Sequence, residues 1–179
     1  MRRIICGVVL LSIPAGAACA SRAEPAPSAA KPTGTLAQVM RGIYFPNANL
    51  LFDVQQKDPG APPSAGEGPR GSVTEQFSSI YTGWQVIENA AVALAESTDL
   101  ITIPGRMCQN GKSVPVDRAE YTKAAQGMRQ AALVALEAAR TKNREQAIEA
   151  TNTIADGCAA CHEKYRDTGE ADGPERCTP

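Results

Sequence analysis

Two thiols and one imidazole near the C-terminus, Cys158-Ala159-Ala160-Cys161-His162, have the types and the spacing to do chemistry together. In a C-x-x-C-H run each cysteine sulfur takes one vinyl group of a haem and the histidine binds its iron, the pattern of covalent haem c attachment. On a helix Cys158 and His162 stand one turn apart with Cys161 between them, so all three can face one porphyrin edge. His162 is the only histidine in the chain. Two other chemistries use part of this pattern. A thioredoxin-like dithiol shares C-x-x-C but sits in a βαβ setting, whereas the residues around Cys158 read as helix. A structural zinc site needs four ligands, and Cys158, Cys161 and His162 would have to recruit Cys108 or Cys177 without a second spaced motif.

The elements that must position this run follow from the apolar spacing. From Leu36 to about Val54, the residues Leu36, Met40, Ile43, Leu50 and Val54 recur at helical intervals. Pro46 lacks an amide hydrogen and should kink or restart that helix. Asp58 to Ser72, rich in Gly and Pro, reads as a long surface loop. A second helix carries the seam Phe77, Ile80, Trp84, Ile87, Ala91, Leu94 and Thr98; Trp84 is a candidate for the haem face, with core packing as the plainer reading. Ile101 to Val116, with Pro104, Gly105, Asn110, Gly111 and Pro115, is too broken for helix.

A third helix is expected from Asp117, as N-cap, to Thr141, with Tyr121, Ala125, Met128, Ala132, Leu136 and Ala139 along one side. Gly127 within it suits a close helix crossing. Asn143 should cap a fourth helix whose inner side holds Ile148, Thr151, Ile154, Ala155, Cys158, Cys161, His162 and Tyr165, ended by Gly169 and Gly173-Pro174. The expected fold is therefore all-α: an antiparallel four-helix bundle with a long loop after helix 1 and an irregular segment between helices 2 and 3. Aromatic residues make up only 4% of the 179. Alanine-rich helices packed around a large flat cofactor fit that composition.

The start of the chain has the order of a secretory signal: Met1-Arg2-Arg3, an apolar run from Ile4 to Leu11, then small residues through Ala20. The apolar run is too short for an ordinary membrane span. Residues 1–20 are expected to be a signal peptide, 21–34 a flexible Pro/Ala-rich linker, and 35–179 a haem-binding bundle. In the alternative reading Gly16-Ala17-Ala18-Cys19 is a degenerate lipoprotein signal, and a lipidated Cys19 tethers the protein to a membrane. Both place the protein outside the cytoplasm, in the periplasm of a bacterial cell.

Six cysteines then divide by role. Cys6 and Cys19 belong to the leader, Cys158 and Cys161 to the haem, and Cys108 and Cys177 remain. In an oxidising compartment the last two are expected to form a disulfide, the alternative being unpaired or intermolecular thiols. Without Arg2 and Arg3, 16 basic residues stand against 19 acidic ones. That balance argues against a nucleic-acid partner.

A secreted chain of this size, with four helical segments and the haem motif near the end of the last, resembles the class II c-type cytochromes, the cytochrome c′ group and its low-spin relatives. The resemblance covers residues 35–167 and rests on Cys158-Ala-Ala-Cys161-His162-Glu-Lys-Tyr165-Arg166 and on Met40-Arg41 in the first helix. The chain is also similar to a group of predicted cytochromes with a segment like Asn110-Gly111-Lys112-Ser113-Val114-Pro115. The family implies electron transfer between redox partner proteins, a homodimer through the first two helices, and Met40 as sixth iron ligand.

A methionine ligand gives a low-spin carrier, whereas an empty sixth position binds NO or CO. Met107 and Met128 are further candidates, and bis-histidine ligation within one chain is excluded. Tyr44, one turn beyond Met40, is placed to line the same face. Arg41 and Arg166 are candidate propionate partners, because a guanidinium matches a carboxylate in a bidentate fork. A peroxidase or NO-handling enzyme needs distal acid/base groups, and histidine, the usual choice, is not available for that role. A carrier or binding module is expected rather than an enzyme.

Overall fold

A computed structural model describes residues 31–62, 82–166 and 177. These residues are mostly helical and contain no strand, only the isolated bridges Met107–Ser113 and Arg166–Cys177. The leader, Cys6, Cys19, most of the linker, the loop beyond Pro62, Phe77, Ile80 and the Gly169 to Pro174 stretch lie outside the described residues.

The first rod starts with a capping box. The Thr35 side chain accepts from the Gln38 amide, and the Gln38 side chain accepts from the Thr35 amide at 2.8 Å. Helix α1 (Leu36–Val39) runs into a π-helical turn (Met40–Tyr44), then α2 (Phe45–Phe52) and a 3₁₀ turn (Asp53–Gln55). The cause of the π turn is legible around Pro46. Proline offers no N–H to the carbonyl four residues back, the Phe45 amide reaches five residues back to Met40, and the Asn47 side chain donates to the Ile43 carbonyl at 2.7 Å.

The wide turn changes which residues face inward. A continuous α-helix through Ile43 would bury Leu50, but Leu50 is 40% exposed and Leu51 is 1% exposed. The buried face after the π turn runs Tyr44, Ala48, Leu51 and Val54, one residue later than the spacing of Ile43 and Leu50 suggests. Leu50 is thus corrected to the surface.

Helix α3 (Trp84–Ile101) begins after Gly83, at φ 59°, where a Cβ would lie 2.5 Å from the Pro59 carbonyl oxygen. Glycine is required there because the chain crosses the Asp58–Gly60 turn. Ile87, Ala91, Leu94 and Thr98 are buried as their spacing predicts.

Helix α4 (Ala119–Arg140) starts at Arg118 rather than Asp117, and no side chain caps it. The Arg118 amide first closes a turn onto the Pro115 carbonyl, which delays the helix by one residue. All six positions expected on its inner side are buried, while Gly127 is exposed with open space around it, so no helix crosses there. Helix α5 (Arg144–Tyr165) is capped by Asn143, which accepts from the Gln146 amide at 3.1 Å. Its buried residues include Thr151, Ile154 and Tyr165; Ala155 faces out.

Helix α3 packs on α4, α4 on α5, and α2 on both α3 and α5. The shared core is rich in alanine: Ala90, Ala91 and Ala95 from α3, Ala131, Ala132 and Ala135 from α4, and Ala147 and Ala150 from α5. Small side chains let helix axes come close.

Hydrogen bonds fix which ends meet. At one end the Arg144 guanidinium, at the start of α5, donates to the Val54 carbonyl at 3.0 Å. At the other, the Leu36 amide donates to Met107 O at 2.9 Å, the Tyr121 hydroxyl donates to Ile101 O at 3.0 Å, and Lys164 pairs with Glu120. The start of α1, the end of α3, the start of α4 and the end of α5 therefore converge. No described helix is long and apolar enough to cross a membrane.

Candidate haem attachment site

The convergent end holds Cys158, Cys161 and His162. Twenty-two residues of α5 deliver them in its last two turns, all three half-buried, while Ala159 and Ala160 between the thiols face out. Gly157 gives the preceding turn room: a Cβ there would lie 3.3 Å from Met128 Cε of α4. Burial disfavours the thiolates, raising the Cys158 thiol and pushing Cys161 up to about 11, with Cys158 adding to the latter. Burial, then the positive charge of Arg166, lowers the His162 pKa and favours the neutral imidazole, the form that binds a metal.

The cysteines fall into two kinds. Cys158 and Cys161 are unbonded, whereas Cys108 and Cys177 form a disulfide with Cα atoms 4.9 Å apart. That bond joins a short clasp to the end of α5. The Cys108 amide donates to Lys112 O at 2.8 Å, Val114 N donates to Arg106 O at 2.9 Å, and Cys177 N donates to Tyr165 O at 2.8 Å. The Asn110 to Pro115 segment thus forms the return arm of this clasp.

Tyr44, presented by the π turn, feels the charge of both thiols. It is buried, and its hydroxyl lies beside those of Ser97 and Thr98 without reaching hydrogen-bond geometry. Burial dominates in raising its pKa; the two hydroxyls pull the other way, and Cys161 and Cys158 reinforce the rise. Tyr121 is also raised, first by burial and then by Cys161 and Tyr44, and meets Tyr165 edge to face at 5.2 Å between ring centroids.

Raised tyrosines give a pH prediction. A phenol whose folded pKa exceeds its unfolded value of about 10 contributes stability that is fully present below that value and lost as pH rises through the folded one. Ultraviolet titration of tyrosinate is expected to find Tyr44 and Tyr121 still un-ionised above the ordinary phenol value of about 10, with their ionisation accompanied by unfolding. All four tyrosines of the chain ionising together near pH 10 would contradict this burial.

The structure separates the remaining candidates. Met40 opens the π turn and is half-buried against the core, on the wall that carries Tyr44. Met128 is buried over Gly157, and Met107 is 40% exposed on the clasp. Arg41 and Arg166 are both exposed. Trp84 begins α3 at the far end, near Gly60, away from Cys158, Cys161 and His162. Sequence reasoning passed over Arg106, a buried arginine in the irregular segment. Its signal was only that it precedes Cys108 by two residues.

The residues present fit a haem. Two thiols and a neutral imidazole share one helix face, and the hydroxyls of Tyr44, Thr98 and Tyr165 are buried without partners. An unsatisfied buried hydroxyl costs roughly 1–3 kcal/mol, so this interior has unused polar capacity. A structural zinc site needs a fourth ligand beside Cys158, Cys161 and His162, and the two other described cysteines, Cys108 and Cys177, are bonded to each other. No family model, curated protein or solved structure matches the chain. The reading therefore rests on the site.

Proposed function

We propose that this chain is an exported monohaem c-type cytochrome that transfers electrons, related to the class II group and built as an antiparallel four-helix bundle. The observation that carries the proposal is the placement of unbonded, half-buried Cys158 and Cys161 with His162 on one face of α5, while Cys108 and Cys177 are bonded to each other. The meeting of alternate helix ends supports the bundle topology.

Cys158 and Cys161 would hold a haem through thioethers to its two vinyl groups, each S–H adding across one double bond so that nothing leaves and no outside oxidant is needed. His162 would bind the haem iron through a ring nitrogen. Bound haem supplies one-electron exchange between ferrous and ferric iron. Tyr44, Thr98 and the alanine-lined helices would limit water around the group, and Met40, on the Tyr44 wall, would be the second protein ligand to its iron. Redox proteins are the partners, a homodimer is consistent with the family, and the leader places the protein in the periplasm, anchored to a membrane if Cys19 is lipidated.

A second reading has one observation in its favour. The unpartnered Tyr44 hydroxyl is suited to donate to a small molecule on an open sixth site, as in a high-spin protein binding NO or CO. Met40→Ala separates the two. In the carrier, the far-red methionine-to-iron band of the oxidised protein disappears and the reduced variant gains CO binding, while Met128→Ala leaves both unchanged. Rapid CO binding by the reduced wild type assigns the open site instead.

A further inference from the structure

Arg106 is a buried cation without an anionic partner among the described residues. Its side chain belongs to a residue only 3% exposed, and its two hydrogen bonds go to neutral carbonyls: Nε to Leu100 at 2.7 Å and Nη1 to Gly34 at 2.6 Å. No carboxylate lies within 4.0 Å of it among the described residues, whose ion pairs use Lys57, Arg129, Arg140 and Lys164 instead.

Removing a guanidinium from water costs several kcal/mol and is usually balanced by a paired carboxylate. The last carbonyls of α3 offer about half a negative charge. About half a positive charge is therefore still unmatched. Two carbonyls occupy two of five N–H donors, and neither uses Nη2, so the guanidinium retains capacity for a carboxylate.

Position narrows the anion. Arg106 Nε donates to Leu100 O and the Tyr121 hydroxyl to the adjacent Ile101 O at 3.0 Å, while the Tyr121 ring meets Tyr165, one turn beyond Cys161 on α5, so Tyr121 links the cation to the helix that carries the thiols. The required ligand is a buried carboxylate delivered to the convergent end of the helices. A haem tethered at Cys158 and Cys161 brings two.

We propose that Arg106 binds a haem propionate and, with its bonds to Leu100 and Gly34, locks the clasp and the start of α1 to the cofactor. This rests on the haem reading above. Exposed Arg41 and Arg166 would meet a propionate only in solvent, where an ion pair contributes little.

The test is resonance Raman spectroscopy of the exported, reduced wild type and of Arg106→Gln, Arg106→Lys and Arg166→Gln. Loss of the guanidinium fork is expected to move a propionate-bending band to lower frequency in both Arg106 variants, further in the glutamine one, with the thioethers intact. A band that stays in place in either folded Arg106 variant, or that moves only in Arg166→Gln, overturns the assignment. Failure of both Arg106 variants to accumulate folded also overturns it, because the bonds to Leu100 and Gly34 then suffice to explain the burial. A wild type without haem refutes the cytochrome reading itself, a separate result visible before any variant is made.

Discussion

Replacing Cys158 and Cys161 together by alanine is expected to abolish covalent haem. Wild-type protein should keep its haem through acidified organic extraction, and the double variant should release all of it. Each single variant should retain one thioether. The expectation follows from placement: the two thiols are the unbonded cysteines among the described residues, they sit in adjacent turns of one helix face, and burial holds both protonated near neutral pH. A double variant that holds haem as the wild type does would remove the main support for the proposal.

The second large effect concerns the clasp. Cys108 and Cys177 are 69 residues apart in sequence, and their bond closes a loop that contains all of α4 and α5. Restricting a loop of that length in the unfolded chain is worth about 4 kcal/mol on the chain-entropy account, with measured values more often 2–4 kcal/mol. Cys108→Ala with Cys177→Ala should therefore lower the melting temperature by on the order of 10 °C, read on the haem-bearing protein. Cys108 is buried, and the clasp also carries Arg106 and receives the Leu36 amide, so loosening it should disturb the start of α1 as well. An unchanged melting temperature would show that the clasp is held by its hydrogen bonds alone.

Particular residues show what the sequence makes legible. Asn143 is visible as a cap because an asparagine before a long amphipathic run has one economical use, and the side chain makes that bond. The inner face of α4 is visible from Tyr121 to Ala139 because an uninterrupted helix keeps its period.

Leu50 and Leu51 show where periodicity fails. Pro46 announces a break but not its size, and the π turn moves the buried position from Leu50 to Leu51 while Val54, in the 3₁₀ turn, stays inside. Glycines are equally ambiguous: Gly127 meets nothing, while Gly157 lies under Met128. Charged residues are harder still. Arg41 and Arg166 stand beside the motif in sequence or on the expected face, yet both are exposed, whereas burial of Arg106 arises from the folding of an irregular segment against two helix ends. Short-range spacing reveals the thiols and the imidazole. Partners brought in by loops become visible only once the chain has closed on itself.

The most direct test of the central claim is the absorption spectrum of the exported protein, oxidised and reduced, with and without CO. The account predicts the bands of thioether-linked haem, a far-red methionine band when oxidised, and a reduced spectrum that CO changes slowly or not at all. A protein exported without haem absorption, or with haem that extracts freely, would contradict it.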